Sequence, residues 1–263
     1  MAEVDVRGVR LSVTVQGSGR PFVWGHGLTS SRRREDQTGL FGWSGLADAD
    51  RAAVVRYDAR GHGTSAATAD PSDYRWDALA LDEWALADAL GVHRPVLGGA
   101  SMGAATALHA ALLRPADVAA LVLAIPPTAW ATRAGQASLY EAGARLVEEA
   151  GLDAFVAASA AAPVPAVFAG LEDVPRPVPD VPADVLPTVL RGAAASDLPP
   201  PDALRSLDVP ALVLAWVGDA GHPVSTAEAL AEVLPSAILV VAEDLDGVRT
   251  WPARIADLLA AAY

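Results

Sequence analysis

Three kinds of side chain in this sequence are spaced for nucleophilic chemistry. A serine stands between two glycines in Gly99-Ala100-Ser101-Met102-Gly103, an acid follows a glycine in Gly218-Asp219, and His222 lies three positions beyond that acid. A serine hydroxyl is a weak nucleophile near neutral pH unless a base takes its proton, and the base in turn needs an acid to orient it. The setting of Ser101 suits the task. The apolar run Val96-Leu97 leads into it as a buried strand, and a helix of small residues follows through Leu113, closed by Pro115. A serine on so tight a turn leaves no space for side chains two positions before and after it, which explains both glycines. The turn also aims the unpaired N–H groups of a helix start at the place where an oxyanion would develop. Upstream, His26-Gly27-Leu28 closes another short apolar strand. Gly27 allows close approach of the backbone, so the N–H of Leu28 is a candidate oxyanion donor opposite that of Met102, with Gly27 and His26 as candidates for the pocket wall; for His26 a hydrogen-bonded structural role is the simpler reading.

The elements that must hold these residues read in order along the chain. Val4 to Val15 reads as an opening hairpin with Leu11, Val13 and Val15 on one face. Strands are expected at Pro21–Gly25, Ala52–Tyr57, Val96–Ala100, Ala119–Ile125, Pro210–Trp216 and Ala237–Val241, with helices over Trp76–Leu90, after Ser101, and over Pro252–Ala261. Ser225 and Glu228 have capping-box spacing at the head of a further helix that ends before Pro235. Strands this uniformly apolar, alternating with helices, predict an α/β fold with a mostly parallel central sheet and helices on both faces. Arg32, Arg33 and Arg34 read as a solvated face leading into a helix rather than a phosphate site. In Asp58-Ala59-Arg60-Gly61-His62-Gly63 the expected role is structural, with Asp58 paired to Arg60 and His62 outside the chemistry.

The alternation breaks after Pro126-Pro127. Helices are expected over Leu139–Ala150, closed by Gly151, and again over Leu152–Ala161; ten of the 20 prolines then fall between Pro163 and Pro201. Such a stretch bends between short helices and supplies no central strand. Residues 127–205 therefore read as an inserted helical, Pro-rich cap on a core made of 1–126 and 206–263. Trp130, Tyr140 and Phe168 are its candidates for closing an apolar pocket. Composition agrees with one globular unit: 263 residues, 52% hydrophobic and 19% charged. A net charge of −13 argues against a nucleic-acid partner, and no run reaches the length of a membrane span. Without cysteine there is no disulfide framework or thiolate nucleophile. No metal-ligand spacing or dinucleotide fingerprint occurs, so neither metal nor cofactor is expected. The acidic residues after Met1 do not resemble a secretory leader, and a cytoplasmic location is the expectation.

Taken together, His26-Gly27, the turn from Asp58 to Gly63, Gly99-x-Ser101-x-Gly103 and Gly218-Asp219 resemble the α/β-hydrolase fold superfamily, nearest in flavour to capped ester and lactone hydrolases. The resemblance implies Ser101 as nucleophile, Asp219 as the orienting acid, and the N–H groups of Leu28 and Met102 as the oxyanion hole. It implies a small-molecule substrate with an ester, lactone or other carbonyl group. It also implies a histidine between the last strand and the last helix, and there the sequence departs. That loop reads Ala242-Glu243-Asp244-Leu245-Asp246-Gly247-Val248-Arg249-Thr250-Trp251.

Only five histidines exist: His26, His62, His93, His109 and His222. His222 is the candidate for a relocated base, although a residue so close to Asp219 reaches Ser101 only along a special loop path. A role at the entrance to the next helix is the simpler reading. Two alternatives stand beside hydrolysis. A carboxylate among Glu243, Asp244 and Asp246 would serve non-hydrolytic chemistry of lyase, cyclase, isomerase or decarboxylase type. A protein that only binds a ligand would keep the pocket and lose the reaction.

Overall fold

The computed structural model describes residues 2–47, 52–168 and 178–262. Part of the proline-rich stretch and one side of the loop before the second parallel strand lie outside the described residues. The chain opens with β1 (Ala2–Val6), β2 (Val9–Gln16) and β3 (Arg20–Gly25), then α1 (Arg32–Thr38), α2 (Trp43–Ala47) and β4 (Ala52–Tyr57). There follow α3 (Trp76–Ala89), β5 (Val96–Ala100), α4 (Met102–Leu113) and β6 (Ala120–Ala124). The segment between sheet strands holds α5 (Arg133–Ala160), α6 (Leu186–Ala194) and α7 (Pro201–Leu204). The chain ends with β7 (Ala211–Trp216), α8 (Val224–Val233), β8 (Ala237–Ala242), α9 (Leu245–Arg249) and α10 (Trp251–Ala261).

The eight strands form one sheet in the order β1-β2-β4-β3-β5-β6-β7-β8. The β1–β2 and β2–β4 pairs are antiparallel, and every pair from β4 to β8 is parallel. Side chains alternate across the central strands and divide the core in two. Val23, Val55, Leu97, Leu121 and Val213 face α3, α4 and α8. Phe22, Trp24, Val54, Val122, Leu214 and Trp216 face the other way, onto an aromatic layer of Phe41, Trp43 and Trp251. A third cluster forms away from the sheet, where Tyr74, Ala144, Val147, Leu186 and Leu190 join α5 and α6. Gly151 sits at φ 84° and breaks α5 where the sequence predicts a helix end.

Strand order decides where a site can form. The chain reverses its direction of travel between β4 and β5, which flank β3, so the carboxyl ends of β3 and β5 lie side by side at a topological switch point. His26 and Ser101 are the residues just past those two ends. The glycines answer the resulting crowding. A Cβ on Gly103 would overlap the carbonyl of Gly25, and one on Gly99 would overlap the backbone of Gly103.

Four local expectations need correction. Asp58 does not pair with Arg60; it accepts from the Arg32 backbone at 2.9 Å and from the Arg32 guanidinium at 3.1 Å, while Arg60 pairs with Asp82 at 2.9 Å. Burial drives this exchange, because four charges hidden in the interior each need a partner within reach. The run of three arginines is a solvated face only at Arg33, which is exposed and pairs with Asp180: Arg32 is buried against Asp58, and Arg34 borders a cavity. Val15 is exposed where Leu11 and Val13 are fully buried, since β2 runs beyond the covered part of the sheet. The spacing of Ser225 and Glu228 makes no capping box. Helix α8 starts two residues earlier than that cap implies, with Pro223 in the cap position and no side-chain cap bond.

Candidate active site

Ser101 occupies the turn between β5 and α4 at φ 53° and ψ −108°, a strained conformation for a residue with a side chain. Its N–H is held by the carbonyl of Ala124 at 2.9 Å, which fixes the turn to the end of β6. The residue is 8% exposed and borders a cavity of about 390 Å³.

His222 Nε2 lies 2.8 Å from Ser101 Oγ, and His222 Nδ1 lies 2.8 Å from Asp219 Oδ2. A carboxylate only accepts, so Nδ1 carries the proton and donates to Asp219, leaving Nε2 to accept from the serine hydroxyl. Asp219 is held in place by three further groups. Trp216 Nε1–H donates to Oδ2 at 2.9 Å, Gly221 N–H donates to Oδ1 at 2.9 Å, and the chain bends so that His222 N–H meets the Asp219 carbonyl at 3.3 Å. Burial alone would raise the pKa of Asp219, but the bond and charge of His222, then the Trp216 and Gly221 donors, hold it down to about 2. The carboxyl is ionised at any working pH.

The path that brings His222 to Ser101 is built from backbone. β7 lies two strands from β5, roughly 10 Å at ordinary sheet spacing. Gly218 at φ 76° turns the chain off β7, and a Cβ there would overlap Ala166. Thr128 N–H then ties the Gly221 carbonyl at 3.1 Å to the chain leaving β6. The same short turn that folds the imidazole onto its acid points Nε2 outward across the end of β6. The sequence reading treats closeness to Asp219 as an obstacle; in the structure it makes the acid–base pair local.

His26 does not line the cavity as a pocket contact would; it has the hydrogen-bonded structural role that is the simpler reading of the sequence. It is 1% exposed, and both ring nitrogens are engaged: Nδ1–H donates to the Gly27 carbonyl at 2.8 Å and Nε2 accepts from Ala59 N–H at 2.9 Å. Burial lowers its pKa, against the Gly27 bond that raises it. His62 is arranged in the same way beside it, bonding the Arg60 carbonyl at 2.9 Å and accepting from Thr29 N–H at 3.3 Å. Burial and its neighbour His26 push His62 down to about 3. Two neutral imidazoles therefore grip the loop after β3. Because the Gly27 carbonyl is pinned by His26 and by Ser30 N–H at 3.0 Å, the next N–H, that of Leu28, faces the opposite way across its planar peptide. Among the described residues that N–H has no acceptor. Gly27 and Leu28 border the cavity next to Ser101.

Tyr140 borders the cavity, whereas Trp130 and Phe168 do not. Trp130 is turned aside because its N–H meets the Asp197 carboxylate at 3.0 Å and its indole N–H meets the Pro199 carbonyl at 3.0 Å. Phe168 packs edge-on behind Trp216, whose ring forms the wall in its place. Wall residues that the sequence did not single out are Phe41, Ile125, Leu139, Phe155 and Leu190, together with Arg34, Glu35, Gln37 and Thr38 at the side of α1. Glu243, Asp244 and Asp246 are exposed and stand off the cavity, so the carboxylate-base alternative lacks its geometry. Asp244 caps α9 through Gly247 N–H, and Asp246 pairs with Arg249. His93 is exposed, and His109 bonds the Asp197 carbonyl. Among the described residues no cluster of three metal-ligating side chains occurs, and no helix is long and apolar enough to cross a membrane.

Comparison with known proteins gives the same architecture. The family model described as alpha/beta hydrolase fold matches residues 21–143. The 3-oxoadipate enol-lactonase 2 of Acinetobacter baylyi is 30% identical over 201 residues, covering 74% of this chain and 72% of that protein. Among solved structures, an enol-lactonase from Burkholderia xenovorans superposes with a TM-score of 0.79 at 23% identity, over 98% of this chain and 100% of the other. A thermophilic esterase from Thermogutta terrifontis gives 0.78 at 23% identity, over 99% and 97%. On the turn around Ser101, the parallel sheet and these likenesses, the chain belongs to the alpha/beta-hydrolase fold family.

Proposed function

We propose that this protein hydrolyses a carboxylic ester or lactone with Ser101 as nucleophile, His222 as general base and acid, and Asp219 as the orienting carboxylate. The observation that carries the reading is the pair of 2.8 Å contacts that links the three side chains in line. The enol-lactonase and esterase likenesses agree with it. The Ser101 hydroxyl attacks the carbonyl carbon as its proton passes to His222 Nε2. The new oxyanion faces the N–H groups of Leu28 and Met102, which serve as the oxyanion hole. Asp219 stabilises the imidazolium without taking its proton. Collapse breaks the acyl–oxygen bond, and His222 returns the proton to the departing alkoxide; in a lactone that alcohol stays tethered to the acyl group. Water then attacks the acyl-enzyme, gives a proton to His222, and Ser101 leaves with that proton restored.

Residues 127–205 act in this proposal as a cap that excludes water from the acyl group. Leu139, Tyr140, Phe155 and Leu190 from α5 and α6 form that side of the cavity. A fluorophosphonate probe tests the proposal. It should label the native protein at Ser101, with ester turnover abolished in Ser101→Ala. Absence of labelling together with no turnover across an ester and lactone panel, or turnover that survives Ser101→Ala, overturns it.

A further inference from the structure

The cavity that reaches Ser101 has one arginine among its described lining residues, and it forms no ion pair with any described carboxylate. Arg34 borders it from α1. Its neighbours are spent elsewhere: Arg32 on Asp58 at 3.1 Å, Arg33 on Asp180 at 2.6 Å. Arg34 itself forms no ion pair among the described residues. Nη1 donates to Gln37 Oε1 at 3.1 Å, one helical turn along, while the buried Nε–H meets no acceptor. Asp180 is near enough to feel the Arg34 charge, but its oxygens are taken by Arg33 at 2.6 and 3.3 Å and by the Ser31 hydroxyl at 2.5 Å. Glu35, also on the wall, does not neutralise it. Both its oxygens accept from the Trp24 indole N–H at 3.1 Å, and burial pushes the carboxyl up to about 8 against the lowering effects of that bond and of Arg56, which disfavours its charged form. A guanidinium with a buried N–H that no described acceptor meets, on the polar α1 side of a cavity whose opposite walls are apolar, is a fork for an anion. On a chain of net charge −13 it is a local exception to the prevailing field.

We propose that Arg34, steadied by Gln37, binds a carboxylate of the substrate, so that the preferred esters or lactones carry a free carboxylate joined by an apolar spacer to the scissile group. The placement relative to Ser101 rests on the hydrolase reading, whereas the anion site itself does not. Leu28, Phe41, Ile125 and Phe155 are apolar residues of the same cavity, available to a spacer.

Binding in the non-turning-over Ser101→Ala protein separates the two ideas. The ligands are the monomethyl and dimethyl esters of the straight-chain dicarboxylic acids from succinic to suberic, which differ by one charge. The best monoester should bind about tenfold more tightly than its diester, as expected for a charge-assisted pair at a partly wet site. Adding Arg34→Met should erase that preference, and Arg34→Lys should keep part of it through charge without the fork. Equal binding of monoester and diester, a preference that survives Arg34→Met, or no monoester binding at all overturns the proposal. A preserved charge preference in a protein whose native Ser101 form turns over no ester would instead sink the hydrolase reading and leave the anion site standing.

Discussion

Replacing His222 by glutamine removes the group on which the proposed chemistry turns while keeping a side chain of similar reach. The size of the effect follows from what is left behind. The Leu28 and Met102 N–H groups remain, and so does the cavity, so substrate binding and part of the oxyanion stabilisation persist. No other imidazole is free to substitute: both nitrogens of His26 and of His62 are committed to backbone, His109 is bonded to the Asp197 carbonyl, and His93 is exposed. Loss of the base in a triad of this kind costs on the order of 10⁴ to 10⁶ in kcat, or roughly 5–8 kcal/mol of transition-state stabilisation. The KM should change little, because proton transfer contributes nothing to ground-state binding. The same units act together, so Ser101→Ala combined with His222→Gln should be no slower than either alone. Steady-state hydrolysis of p-nitrophenyl butyrate, with circular dichroism to confirm the fold, is the assay. Retention of activity within about tenfold of the native enzyme would mean that the 2.8 Å contact to Ser101 is structural, and the mechanism would fall.

Other consequences are open to measurement. Asp219→Asn should cost about 10⁴ in kcat by disturbing the His222 tautomer, and an effect below about tenfold would remove Asp219 from its role. Ser101→Gly should abolish turnover yet raise the melting temperature by roughly 2–4 °C, because glycine accepts φ 53° without the strain of about 1 kcal/mol; a lower melting temperature refutes the strain argument. Glu83 on α3 is fully buried, and neither carboxyl oxygen meets a donor among the described residues. Burial lifts its pKa to about 8, so the folded state keeps a proton that the unfolded chain releases near 4.5. Stability is therefore lost as pH rises through that window. The buried histidines oppose this below about pH 6.5, so the loss shows cleanly only above it, and Glu35 adds to it. Glu83→Gln should lessen the fall by up to roughly 1.4 kcal/mol per pH unit in denaturant titrations between about pH 7 and 8; an unchanged slope contradicts the assignment.

The sequence by itself determined the architecture and the tight turn around Ser101, because both rest on local necessity. Continuous apolar runs such as Leu121-Val122-Leu123 have no stable place except a sheet covered on both faces, and Gly99 and Gly103 mark the only residue type that fits beside Ser101. The tertiary structure alone decided the partners. Which charge meets Asp58, whether Trp130 faces the cavity, and whether Arg34 faces solvent depend on what the fold brings alongside, and no spacing in one strand of text encodes that. His222 is the sharpest case. Its distance along the chain from Ser101 says nothing about its distance in space, which is set by strand order and by the turn at Gly218, where one backbone angle carries the imidazole across the end of β6.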